Sequence, residues 1–240
     1  MSAKGKGRGR DDGGQELKKA RRIVVKIGSK TLATRPDVYA ELAAGCAEAR
    51  KNGQHVVIVS SGAIALGTKK LGYKTRPKEI AKLQAAAAAG QSLLMRAYEE
   101  AFSAAGLEVA QVLLTHADLS HRTRANNARE ALTALLDAGA IPVLNENDSV
   151  AVDEIKFGDN DALSSMVLPL VEGDLLILLS DVPGVLDGES ARIKTVRDVA
   201  KDALPHVRAT KSDVGSGGMG SKIEAARRAT LFGASCVIAD

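Results

Sequence analysis

Tryptophan is absent from this 240-residue sequence, and only three tyrosines and three phenylalanines are present. Single-stranded nucleic acid is commonly held by bases stacked on aromatic side chains, so the folded part is not expected to have nucleic acid as a partner. Cysteine is equally scarce. Cys46 and Cys236 lie far apart, and His55, His116, His121 and His206 show no metal-ligand spacing with them. Neither a disulfide framework nor a structural zinc site is expected. No apolar run approaches the ~18 residues of a membrane helix, which excludes a helical membrane span.

The formal net charge is +4, from 33 basic and 29 acidic residues. Eight of those basic and three of those acidic residues fall in 1–22, leaving 25 and 26 in 23–240, so the remainder is close to neutral. The excess charge belongs to a Gly-, Lys- and Arg-rich tail. That tail lacks an apolar targeting core and has too little apolar surface to offset its ordering entropy, and a disordered 1–22 is expected. A salt-sensitive RNA contact through the tail is a minor alternative.

From Arg22 onward, short apolar runs alternate with helical patterns. Strands are predicted at 22–27, 56–59, 109–114, 141–144, 175–179 and 236–239. Helices are predicted at 37–52, 78–105 with a break near Gly90, 123–138, 162–170 and 219–232, and a small hairpin at 154–157. The runs Val56 to Val59 and Leu175 to Leu179 are apolar throughout, as strands covered on both faces are. Strand, loop and helix in repetition predict one α/β domain over 23–240, a three-layer α/β/α sandwich around a mostly parallel sheet. Ligands of such sheets sit beyond the carboxyl ends of the strands, and polar residues or glycines stand there at 26–29, 60–63, 145–148 and 180–184.

Lys26 interrupts an apolar strand, so its ammonium must reach water, a carboxylate or a bound anion. Ser61, Gly62 and Ala63 open a helix, where free amides favour an anion, although a plain N-cap reads the same way. Asn145-Glu146-Asn147-Asp148 and Gly158-Asp159-Asn160-Asp161 concentrate acceptors suited to an ammonium group, or to magnesium through water. Either tetrad alone also reads as an Asx-rich turn. The segment from Gly215 through Ser216, Gly217, Gly218, Met219, Gly220 and Ser221 to Lys222 exposes successive amides before a helix, as phosphate loops do. It is not a P-loop, because Ser221 stands where the lysine should follow Gly220. Gly215, Gly217 and Gly220 do satisfy G-x-G-x-x-G, but no apolar strand precedes them, which argues against a dinucleotide site.

In this order, Val24-Val25-Lys26-Ile27-Gly28-Ser29, Ser61-Gly62-Ala63-Ile64-Ala65, the two acidic tetrads and Gly217-Gly218-Met219-Gly220-Ser221-Lys222 closely resemble the amino acid kinases, over about 23–240. The resemblance implies transfer of the γ-phosphate of ATP, with magnesium, to the side-chain carboxylate of L-glutamate, opening proline biosynthesis. It further implies a cytoplasmic homo-oligomer inhibited by proline. By the same resemblance Lys26 and Lys222 flank the transferring phosphoryl group and Asp161 organises them. Ser61, Gly62, Ala63, Asn145, Asp148 and Asn160 meet the amino acid. Lys26, Ser180, Asp181, Ser216, Gly217, Gly218, Met219, Gly220, Ser221 and Lys222 meet ATP. No protein-only metal site is assigned. Relatives run on past position 240 through a closing segment, and some append an RNA-binding-like PUA domain; neither is expected within this chain. Where the family often has an aromatic, the loop after Asp181 has the aliphatic Val185-Leu186-Asp187-Gly188. A catalytically silent amino-acid sensor, or a kinase for another small carboxylate, is the alternative.

Overall fold

The structure is a computed structural model and describes residues 18–35, 37–150, 160–206 and 218–240. Six strands, β1 (Arg22–Ile27), β2 (His55–Val59), β3 (Val109–Leu114), β4 (Ile141–Glu146), β5 (Leu175–Leu179) and β6 (Ser235–Ala239), form one sheet in the order β3-β4-β2-β1-β5-β6. Every neighbouring pair is parallel. The central strands are sealed on both faces: all six residues of β4 are buried, whereas the edge strand β6 is half-buried throughout.

Alternation along each strand divides the core in two. Ile23, Val25, Ile27, Val56 and Ile58 pack against α2 (Val38–Lys51) and α4 (Ile80–Ala104). Val24, Val57, Val59, Leu144, Leu176 and Leu178 pack against α6 (Arg122–Asp137), α7 (Asn160–Val167) and α8 (Met219–Phe232). The sequence therefore indicates the three-layer sandwich correctly. Three shorter helices, α1 (Ser29–Thr34), α3 (Ala63–Lys70) and α5 (His116–Ser120), follow β1, β2 and β3 directly; α1 and α5 are not among the predicted elements.

Two local expectations change. The strand predicted to stop at Leu144 continues through Asn145 and Glu146, because both stay in the ladder opposite Leu113 and Leu114 of β3. The break predicted near Gly90 does not occur, since α4 runs unbroken through it. Gly90 serves close approach instead. A Cβ there would lie 1.8 Å from the carbonyl oxygen of Ala63, and one on Gly67 would lie 1.7 Å from that of Ala86. Helices α3 and α4 thus touch backbone to backbone, with the alanine run beneath them. The predicted hairpin at 154–157 lies outside the described residues.

Gly90→Ala and Gly67→Ala are each expected to force α3 away from α4, at about 1–3 kcal/mol of overpacking. Thermal unfolding should show Tm lowered by roughly 2–10 °C. Gly45, mid-way along α2, is the control, because a Cβ on it would meet nothing within 4 Å. Gly45→Ala should leave Tm unchanged or raise it, as alanine favours a helix by about 1 kcal/mol. Equal losses at all three positions would contradict the close-approach explanation.

Candidate active site

The carboxyl ends of β4, β2, β1 and β5 border a cleft of about 220 Å³. Strand β1 lies at its middle, where the chain order reverses between β2 on one side and β5 on the other, the usual ligand position in open parallel sheets. Lys26 is the penultimate residue of β1 and shares the face of Val24, which turns it toward α7 and α8. Its side chain is 5% exposed, and its Nζ lies 2.5 Å from Oδ1 of Asp161. Lys222, in the first turns of α8, places its Nζ 3.2 Å from Oδ2 of the same carboxylate. Ser221 Oγ donates to that oxygen at 2.7 Å.

Asp161 is fully buried. Burial pushes its carboxyl up, but the Lys26 and Lys222 charges, with hydrogen bonds from Lys26 and Ser221, hold it below the usual range. One carboxylate between two ammonium groups leaves a surplus positive unit beneath the cleft floor. Both lysines also line the cleft. In a buried setting this surplus attracts an anion much more strongly than it would in water.

On the β2 side the chain turns sharply at Gly62, whose φ of +97° suits glycine and starts α3. Ser60 is held at the turn by its hydroxyl, 2.9 Å from the Tyr98 hydroxyl in α4. Asn160, opening α7, has its Nδ2 within 2.5 Å of the Ser60 carbonyl, 2.9 Å of Ser61 Oγ and 3.0 Å of Asn145 Oδ1. Asn145 Nδ2 donates in turn to Gln91 Oε1 at 2.9 Å. The amide network ties the ends of β2 and β4 to α4 and α7 along this wall of the cleft.

The cleft gathers Lys26, Ser61, Gly62, Ala63, Asn145, Asp148, Asn160, Ser180, Asp181 and Lys222. Asp161 lies under its floor and does not line it. Gly218, Met219, Gly220 and Ser221 form the start of α8 and do not line it either, although Ser221 reaches Asp161. Ser216 and Gly217 lie outside the described residues, as do Gly158 and Asp159. Two charged cleft residues, Lys30 and Arg76, escape the sequence reading. Lys30 forms a 2.5 Å ion pair with Asp181 across the ends of β1 and β5, and holds the Asp181 carboxyl below its usual range. Glu146 enters from the buried end of β4, and Arg76 from the loop after α3. Lys30 follows the Gly28-Ser29 turn, a position that could have suggested it; nothing in the sequence around Arg76 directs it to the cleft.

A model of the amino acid kinase family matches residues 21–240. The chain belongs to the amino acid kinase family. The fold agrees: a carbamate kinase from Giardia superimposes with a TM-score of 0.64 at 15% identity, covering 92% of this chain and 93% of that one. Among curated relatives, the glutamate 5-kinase of Geobacter metallireducens is 49% identical over 228 residues, which are 90% of this chain and 61% of that protein. The glutamate 5-kinase of Myxococcus xanthus is 47% identical over 236 residues, 92% of this chain and 62% of that protein. This amino acid kinase chain thus spans about three-fifths of the length of the curated relatives it matches.

Proposed function

We propose that the chain carries out ATP-dependent phosphorylation of the side-chain carboxylate of L-glutamate, giving L-glutamyl 5-phosphate, the first step of proline biosynthesis. The supporting observation is the Lys26–Asp161–Lys222 bridge, which concentrates positive charge at one stretch of a cleft whose other wall is rich in amides and carboxylates. The many glutamate 5-kinases at close to half identity support the choice of substrate.

Physical chemistry suits this reaction to the site. A glutamate side chain with a pKa of about 4.3 is already ionised at neutral pH, so the nucleophile needs no general base. The difficulty is repulsion: two unit charges 4 Å apart repel by about 4 kcal/mol at an effective dielectric of about 20. Lys26 and Lys222 offset this and hold charge on the transferring group, while Asp161 fixes their positions without touching substrate. Ser61, Gly62 and Ala63 at the start of α3, with Asn145 and Asn160, orient the amino acid, and Asp148 pairs with its free ammonium. Ser180 and Asp181 at the end of β5 serve the nucleotide side, together with the start of α8.

Among the described residues no group of three or more His, Cys, Asp or Glu is placed to hold a metal. Magnesium therefore fits as an ion carried mainly by the phosphates, with Asp181 the nearby carboxylate on the nucleotide side. When bound, it would offset the negative charge of the phosphates. Inhibition by proline, a homo-oligomeric state and a cytoplasmic location belong to the same proposal.

The test is ADP formation with L-glutamate, L-aspartate, N-acetyl-L-glutamate and carbamate side by side, with hydroxylamine present to trap an acyl phosphate as its hydroxamate. Glutamate alone should give both ADP and hydroxamate. Preference for another substrate would overturn the substrate assignment; binding of glutamate with no ADP formed would favour a sensor.

A further inference from the structure

Among the described residues, four cationic side chains line the cleft: Lys26, Lys30, Arg76 and Lys222. Lys26 and Lys222 are committed to Asp161, and Lys30 to Asp181. Arg76 is different, because among the described residues it makes no hydrogen bond or ion pair. It is an exposed residue of the loop between α3 and α4, and it lines the cleft together with Ile64 and Ala65 from the first turn of α3. Its loop follows β2 and α3, the elements that bring Ser61, Gly62 and Ala63 to the same cleft, whereas the Lys30 and Asp181 pair stands at the ends of β1 and β5.

The amino acid assigned to this cleft has two carboxylates and one ammonium group. The reacting carboxylate must face the lysine pair, and the ammonium is matched by Asp148 and its neighbours. One carboxylate remains, and an unpaired carboxylate removed from water is costly. We propose that Arg76 binds this second, α-carboxylate and thereby sets the requirement for a free α-carboxyl group in the substrate. The inference rests on the glutamate reading above and deepens it. A guanidinium suits the role, since its planar fork meets both oxygens of a carboxylate at once, whereas an ammonium offers a point charge. The free amides at the start of α3 add donors on the same side. No carboxylate among the described residues holds this guanidinium, so none of them has to be displaced when substrate arrives.

The experiment measures calorimetric affinity for L-glutamate and for its α-amide, with glutamate-dependent ADP formation, on the whole chain and on Arg76→Gln and Arg76→Lys. Arg76→Gln should weaken L-glutamate roughly 10- to 100-fold, the size of a lost charged hydrogen-bond pair, and change the α-amide by less than about 3-fold. The loss should appear in KM more than in kcat. Arg76→Lys should recover part of the preference for the free acid. Equal weakening of both ligands, or no weakening of either, would overturn the role of Arg76. A wild-type chain that binds no glutamate would overturn both this role and the glutamate reading. Arg76-dependent binding without ADP formation would overturn only the activity.

Discussion

Lys222→Ala is expected to lower kcat for glutamate-dependent ADP formation by about two to three orders of magnitude, the usual effect of losing one preorganised donor to transition-state charge. The cause is a change in local charge. With Lys222 gone, Asp161 and Lys26 form a neutral pair, and the positive charge proposed to draw the phosphoryl group is lost. The fold should survive, because Asp161 keeps the ion pair with Lys26 and the hydrogen bond from Ser221. Glutamate affinity should fall much less than turnover, since the proposed reading has the amino acid held mainly by the β2 side of the cleft. Steady-state kinetics paired with calorimetry separates the two; equal losses would argue against a role confined to the transition state. Lys222→Arg should not restore full activity, because a planar guanidinium cannot occupy the 5%-exposed site of a compact ammonium without displacing its neighbours.

Asp161→Asn should be the more damaging change to the protein itself. It leaves two buried ammonium groups facing a neutral amide, and breaking a buried ion pair from one side typically costs about 3–5 kcal/mol. For a chain of this size that is a fall in Tm of roughly 6–20 °C. Activity should be lost as well, since the carboxylate that the two lysines share is then gone. Adding Lys222→Met to Asp161→Asn should recover part of the lost Tm, because it removes one of the two buried charges that lose their shared carboxylate. Failure of the double variant to recover any stability would show that the bridge is not the source of the loss. The pH dependence follows from the depressed carboxyl of Asp161. A carboxylate whose pKa is lower folded than unfolded contributes its full stabilisation above the unfolded value of about 3.9 and loses it as pH falls through the folded value. The gap in Tm between the unsubstituted chain and Asp161→Asn should thus be constant near neutrality and narrow below about pH 4.

Much of the architecture is legible in the sequence because it is local. Val24 and Val25 precede Lys26 in a β-branched run, and β1, β3 and β5 occupy the predicted residues. Where the reading slips, a tertiary contact is responsible. Asn145 and Glu146 look like a loop, yet pairing with β3 keeps them in the strand and carries Asn145 into the amide network. Gly90 looks like a helix break, yet it is the point at which α4 meets Ala63. The candidate site divides in the same way. Lys26, Ser61 and Asp148 stand at strand ends and are visible as polar residues in or after apolar runs. Arg76 and Gln91 sit in a loop and within a long helix, and no local pattern distinguishes them from ordinary surface or core residues.

Burial on both faces of short apolar strands is a property of composition, so the sequence by itself determined a parallel sheet between helical layers and the end of that sheet at which ligands collect. Only the tertiary structure decided that Lys26, near the start, and Lys222, near the end, share the carboxylate of Asp161. That meeting depends on β5 pairing with the far side of β1, and on α7 and α8 covering one face together. Strand order is chosen by the packing of the whole chain, whereas hydrophobic periodicity is written within a few residues; the charge that defines the cleft therefore exists only once the sheet has closed around it.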